Sequence, residues 1–173
     1  MSIKNNKKTE YLSFMGLMLA LSLILGYIDS LIPINIFGVN LKIGLANIIS
    51  LFMIFRQKDI GLNIKFSHIL LIVIMRVCIL SVIRGNMVSF ILSLSGAIVS
   101  HIVMYLLPIS IIPTSILAAI SHNFTQILVL IAMNKNIKLT VLFLPFLIIS
   151  IITGTFTGIV AKFIPNIKMP LFK

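Results

Sequence analysis

The stretch PTSILAAISHNFTQILVLIAM, residues 113–133, is an apolar run of 21 residues that contains no charged side chain. A helix that crosses a bilayer needs about 20 such residues. The centre of the run nevertheless holds His122, Asn123 and Gln126. Polar groups are costly in lipid, so these side chains are expected to face other helices or a cavity. The stretch therefore predicts a transmembrane helix with one polar, inward face.

Similar apolar runs fill most of the chain, which is 60% hydrophobic and only 10% charged and has a mean hydropathy of +1.20. Soluble domains are about a quarter charged. We therefore expect residues 1–173 to form a single integral membrane domain, an all-α polytopic bundle of about six helices. The first run is too long for a signal peptide and is interpreted as a retained span. The predicted spans cover residues 12–32, 43–55, 66–83, 87–107, the run ending at 133, and 139–163.

The second predicted span is short. Its thirteen residues, at a rise of about 1.5 Å each, cover only about 20 Å of a hydrocarbon core of about 30 Å. Irregular backbone at membrane depth is tolerated only inside the protein or beside a cavity. The preceding segment, residues 34–42, is therefore a candidate lid or site loop.

The chain is strongly basic, with 14 Lys and Arg against 3 Asp and Glu and a net charge of +11. The apolar runs argue against a nucleic-acid partner, because basic loops between spans usually face the cytoplasm and its anionic lipids. With the N-terminus inside, nine basic residues fall in cytoplasmic segments and four in outer loops. This bias predicts a multi-pass protein of the cell membrane with both termini in the cytoplasm.

The sequence lacks the motifs of several kinds of catalytic and metal-binding site. The chain has no phosphate-binding GxxxxGK[ST] motif, and its acids do not form the DDxxD-type cluster with which prenyl synthases hold magnesium. The single cysteine, Cys78, supports neither a disulfide framework nor a metal cluster. We therefore expect no catalytic residues, no metal and no cofactor, and do not expect an enzyme.

Charges on the outer or membrane side suggest what a cavity could bind. Lys42, Arg76 and Arg84 lie there, with Asp29 as the only acid. A cavity that opens outward would be net positive and would favour an anionic ligand. Alternatively, Lys42 and Arg84 reach lipid headgroups while Arg76 pairs with Asp29.

The predicted substrate-binding side chains come from two of the spans and from the segment before one of them. Lys42 ends the segment before the second span, Asn47 lies within that span, and the fifth span contributes the polar group at its centre. Hydrogen bonding between helices is the alternative role for the same side chains. The predicted set is Lys42, Asn47, His122, Asn123 and Gln126.

Small residues recur at helical spacing and allow close approach of helices. Internal packing is one interpretation, and docking onto a partner membrane protein is the other, for which Gly16 and Ala20 in the first span are the best candidates. Two further stripes comprise Ser89, Ser93, Gly96 and Ser100 in the fourth span, and Ser150, Gly154, Thr157 and Ala161 in the sixth.

The segment KIGLANIISL, residues 42–51, resembles the KLGLAN signature of a bacterial family known both as heptaprenyl diphosphate synthase component I and as Gx transporter. Further matches follow in the family's order: SLSGA at 93–97 with Ser100 and Met104, His122-Asn123 with Gln126, Leu144-Pro145, and the stretch 153–158. The chain departs from the pattern at Asp29, where a glutamate is expected, and at Ser121 and Thr125. None of these departures removes a polar signature residue.

That family resembles the substrate-binding S-components of energy-coupling factor transporters. The resemblance implies a six-helix fold that captures a small molecule from outside. It also implies that the first helix docks onto a transmembrane coupling protein and that two ABC-type ATPases drive release of the molecule. Our main prediction is thus a substrate-capture subunit for a small anionic molecule. The alternative is a membrane accessory subunit of a polyprenyl diphosphate synthase, whose catalytic partner supplies the acids. A structural membrane protein without a ligand is the third hypothesis.

Overall fold

The computed structural model describes residues 2–32, 34–36, 39–41, 44–57 and 64–164, with side chains described for residues 8–32, 44–57 and 64–164. The described part is almost entirely helical, which confirms the all-α prediction. The candidate binding residue Lys42 lies outside the described residues, as do residues 37 and 38 and all side chains of the candidate lid segment 34–42.

In the described part of the chain six α-helices follow one another, and the connections between them include one short hairpin and one 3-10 helix of about two turns. The hairpin pairs its strands antiparallel, with Ile34 opposite Leu41 and Ile36 opposite Val39. The elements are α1 Ser2–Leu31, β1 Ile34–Ile36, β2 Val39–Leu41, α2 Asn47–Arg56, α3 Phe66–Arg84, α4 Met87–Leu106, α5 Ile111–Asn134, the 3-10 turn Ile137–Leu142, and α6 Phe143–Phe163.

Within the described residues, five helices are long and apolar enough to cross a membrane, which identifies a multi-pass membrane protein. The exception is α2, whose ten residues measure about 15 Å. It is even shorter than the predicted span 43–55, because its helix begins only at Asn47. At the other extreme, α1 starts ten residues before the predicted span, at Ser2.

The turn between α3 and α4 is fixed by two local signals. Gly85 ends α3 with a left-handed φ of 62°, a conformation that glycine adopts without strain, and its N–H bonds the carbonyls of Ser81 and Val82. Asn86 then caps α4 by accepting a hydrogen bond from the Ser89 N–H at 2.9 Å. This tight turn holds Arg84 at the last position of α3.

Glycines on α6 allow it to lie against the backbone of α5. A Cβ added at Gly154 would come within 2.7 Å of Ile116 Cα, and one at Gly158 within 2.9 Å of Ile112 Cα. Between these contacts, the hydroxyls of Ser115 and Thr157 bond each other at 2.8 Å. The small-residue stripe of the sixth helix therefore packs internally, the first of its two predicted roles.

The small residues of α1 are placed differently. Gly16 and Ala20 are both exposed, and nothing lies within 4 Å of a Cβ added at Gly16. The opposite side of α1 is buried, where Phe14 and Met18 pack against apolar side chains of α2 and α3. The exposed strip of α1 is thus available to a partner, although the structure contains none.

This contrast gives a stability prediction. Gly154→Ala places a methyl group against backbone that cannot rotate away, so we expect the free energy of unfolding to fall by about 1–3 kcal/mol. The matched variant Gly16→Ala meets open space and gains helix propensity, so it should not lower stability. Thermal unfolding of both purified variants in mild detergent checks this. Equal losses in the two variants would contradict the α5–α6 contact.

Candidate functional site

A polar cavity lies among the helices and receives side chains or backbone from every α-helix of the bundle. The space between the lining side chains measures about 700 Å³, a figure that includes the open side of the cavity. Its lining comprises Gly26 and Asp29 of α1, Gly44, Ala46 and Asn47 around the start of α2, Arg76, Val77, Leu80, Ser81 and Arg84 of α3, Ser93 of α4, Ser115, Ala119, His122 and Asn123 of α5, and Thr153 and Thr157 of α6.

One wall of the cavity is charged and is built mainly by α3. Arg76 and Arg84 are eight residues apart, so they lie on one helix face with about 12 Å between their positions along the axis. Arg76 is buried, with only 6% of its surface exposed. Arg84 is half-buried, and its Nη2 donates to the Gly26 carbonyl of α1 at 3.4 Å. Neither guanidinium is therefore simply extended into lipid headgroups.

Asp29 joins this wall from the last turns of α1. Both of its carboxylate oxygens accept a hydrogen bond from the Gly44 N–H, at 3.2 and 3.1 Å. Gly44 has a φ of +84°, which glycine tolerates and other residues rarely adopt. The bond ties the end of α1 to the segment that begins α2. Asp29 lines the same cavity as Arg76 and Arg84, so its negative charge partly offsets theirs.

The described lining is net positive. Two arginines less one aspartate leave one positive charge when His122 is neutral. A cavity with low-dielectric walls concentrates the field of such a charge. Arg76, Arg84 and Asp29, three of the four charged residues from which the sequence analysis argued, therefore line one space with a net positive charge.

The facing wall is neutral and rich in hydrogen-bonding groups from α5 and α6. His122 sits where α4 comes close, since a Cβ added at Gly96 would lie 2.9 Å from the His122 carbonyl oxygen. Asn123 Nδ2 donates to Ser150 Oγ at 2.7 Å, a buried bond that fixes the amide. This wall can orient a polar ligand through hydrogen bonds without adding charge.

The structure brings three of the five predicted binding residues together, because Asn47, His122 and Asn123 all line the cavity. Gln126 does not line it. Its Nε2 lies 3.1 Å from His122 Nε2, one helical turn away, and its side chain is mostly buried. Gln126 therefore helps to orient the His122 imidazole through this contact, without itself lining the cavity. Lys42 lies outside the described residues.

Several lining residues escaped the predicted set. They are Ser93, Ser115, Thr153 and Thr157. Ser93 and Thr157 belong to the small-residue stripes that the sequence analysis interpreted as packing positions, whereas Ser115 and Thr153 were not singled out. A hydroxyl is small enough for a close helix contact and can also hydrogen-bond a ligand, so the hydroxyls within the stripes were the available signal.

The apolar side chains of the described lining are Ala46, Val77, Leu80 and Ala119, and its only aromatic ring is the imidazole of His122. Most of the other lining residues carry hydrogen-bonding or charged groups, so the cavity can bind the polar group of a ligand. No group of three His, Cys, Asp or Glu that could hold a metal occurs in the described part of the chain.

Comparison with known proteins gives one match. No curated protein and no solved structure matches the chain, so the likeness to S-components rests on the sequence motifs. The profile of a family described as heptaprenyl diphosphate synthase component I matches residues 18–164. That range contains every described residue of the cavity lining. This chain, which carries the cavity within the matched region, therefore belongs to the heptaprenyl diphosphate synthase component I family.

Proposed function

We propose that the chain is a non-catalytic membrane subunit of a heptaprenyl diphosphate synthase and that it binds a small anionic molecule in the cavity between its helices. The observation that carries the binding role is the net-positive, polar cavity around buried Arg76. The family match supports the assignment to the synthase.

The proposal assigns catalysis to a partner chain. Synthesis of a prenyl diphosphate relies on clustered carboxylates that hold magnesium. This chain has three acids, Glu10, Asp29 and Asp59. Asp29 accepts the Gly44 N–H and faces two arginines, which is the environment of a structural carboxylate rather than a magnesium ligand.

In the proposed orientation both termini are cytoplasmic and the charged wall lies toward the outer side. The Tyr11 hydroxyl bonds His68 Nδ1 at 2.6 Å near the starts of α1 and α3, whereas Arg84 bonds Gly26 near their ends. The two helices therefore run in the same direction. Their ends, with Asp29 and Arg84, lie together on the side opposite the N-terminus.

Genetic complementation with quinone analysis tests the synthase assignment. We expect that deletion of the gene shortens or abolishes the respiratory quinone side chain and that wild-type protein restores it. His122→Ala and Asn47→Ala should restore it less than one-tenth as well, because each removes a cavity hydrogen-bonding group. The readout is quinone side-chain length by mass spectrometry, with membrane insertion verified for each variant.

The control is Thr155→Ala, which alters an exposed α6 hydroxyl that bonds its own helix through the Ile151 carbonyl. It should complement fully. An unchanged quinone profile in the deletion strain would reject the synthase assignment. Full complementation by both cavity variants would instead reject the site.

The second candidate function is substrate capture for an uptake transporter. Its supporting observation is the exposed strip of α1, where Gly16 and Ala20 could admit a close partner helix. The segment between α1 and α2 also joins two parts of the cavity lining, Asp29 and Gly44, as a gating loop would. This candidate implies a transmembrane coupling protein and two ABC-type ATPases as partners.

A pull-down from native membranes in mild detergent distinguishes the two candidates. Under the transporter candidate, wild-type protein recovers a transmembrane coupling protein with ABC-type ATPases, and Gly16→Leu reduces that recovery at least tenfold without lowering the unfolding temperature. Under the synthase assignment, the recovered partner is a soluble prenyl synthase subunit. Identification by mass spectrometry decides between them, and a transporter complex unaffected by Gly16→Leu would exclude the α1 strip as its docking surface.

A further inference from the structure

We infer that Asp29 sets the charge class of the ligand: its carboxylate offsets one of the two arginines of the described lining, so the cavity prefers a small molecule with one ionised acid group to a molecule with two. The inference rests on the proposed anion binding and adds the charge of the ligand to it. It also implies that the metal-free prenyl diphosphate itself, which carries several negative charges, is not held here.

The two arginines converge on one turn of α1. Arg84 Nη2 donates to the Gly26 carbonyl at 3.4 Å, and a Cβ added at Gly26 would lie 3.6 Å from Arg76 Cδ. Asp29 follows Gly26 by three residues and so lies on the same face of the helix. Both guanidinium side chains therefore run past the turn that carries the only carboxylate of the described lining.

Arg76 retains hydrogen-bonding capacity for a ligand. Its side chain is buried, and its Nη1 has no hydrogen-bond partner within the described part of the chain. A buried donor without a partner is costly, and a guanidinium offers a planar fork that suits an acid group. Because Arg76 lines the cavity, an ionised acid bound there would satisfy that nitrogen.

The carboxylate of Asp29 is held in the cavity wall by a backbone contact. Its two oxygens share the Gly44 N–H, which fixes the carboxylate between the end of α1 and the start of α2. A ligand acid therefore joins Asp29 beside the arginines and does not replace it. Without a ligand, the charges of Arg76, Arg84 and Asp29 sum to +1.

That sum decides which anion fits. A singly charged acid brings the described lining to neutrality when His122 is neutral, whereas a doubly charged acid leaves one excess negative charge beside the buried Arg76. Uncompensated buried charge is strongly unfavourable. Asn47, His122 and Ser115, which also line the cavity, supply hydrogen-bonding groups for a hydroxylated body. A small hydroxy acid with one carboxylate has this chemistry.

The test measures thermal unfolding of the full chain, purified in mild detergent at pH 7.5 and constant ionic strength, with three matched probes. Lactate carries one charge, malate carries two, and lactamide carries none. For the wild type we expect lactate to raise the unfolding temperature by about 2 °C or more, with malate giving a smaller rise and lactamide none. In Asp29→Asn, which keeps an oxygen to accept the Gly44 N–H but adds one net positive charge, malate should give the larger rise.

Charge-preserving controls make the result decisive. The double variant Asp29→Asn/Arg84→Gln returns the described lining to +1 and should restore the preference for lactate. Glu10→Gln removes the other described acid of α1, far from the cavity, and should behave as the wild type. If Asp29→Asn fails to fold, Arg84→Gln alone makes the lining neutral and should abolish the response to lactate.

The same probe order in the wild type and Asp29→Asn, or no response of either protein to any anion, would overturn the inference. The result is separable from the test of the proposed function. Loss of the quinone side chain on gene deletion, together with unfolding that no anion affects, would retain the synthase assignment and remove the charge rule. If Asp29→Asn changes the preferred probe while gene deletion leaves the quinone profile unchanged, the charge rule is retained and the synthase assignment is rejected.

Discussion

The arrangement of this bundle depends on keeping the guanidinium of Arg76 out of lipid. A charge within a membrane span is stable only where it faces protein, water or an opposite charge. Here α3 turns Arg76 inward, and α1 brings Asp29 to the same space. The surrounding helices then leave room for a polar cavity instead of closing into an apolar core. Two apolar clusters contain no lining residue, one with Phe14 and Ile69 and another with Ile127 and Phe146, whereas Val77 belongs both to a third cluster and to the cavity lining.

Close backbone contacts between the surrounding helices stabilise the cavity. Glycine contacts bring α6 onto α5, and Gly96 brings α4 onto His122. Close packing of this kind replaces the hydrophobic driving force that is missing between helices in lipid. The same small positions carry serine and threonine hydroxyls, so one set of residues both joins the helices and makes the cavity polar.

The sequence was sufficient for the class of fold and for part of the site. Apolar length identified the long helices, and the cost of polar groups in lipid identified Asn47, His122 and Asn123 as inward-facing. Helical spacing could not separate Gln126 from His122, because residues four apart share a face. In the structure His122 lines the cavity, whereas the Gln126 amide lies against the His122 ring. Nor could spacing show that Arg76, Arg84 and Asp29 meet, since that depends on the parallel course of α1 and α3.

The shortness of α2 has a further electrostatic consequence. Its C-terminal residue Arg56 bonds the Lys162 carbonyl near the end of α6, so this end of α2 lies near the membrane surface. At about 15 Å long, the helix then places its N-terminus near mid-bilayer, beside Gly44 and Asn47 in the cavity lining. The first turn has no side-chain cap. The aligned peptide dipoles therefore direct a partial positive charge of about half an elementary charge toward the cavity. This contribution comes from the backbone, so it does not titrate and is independent of pH.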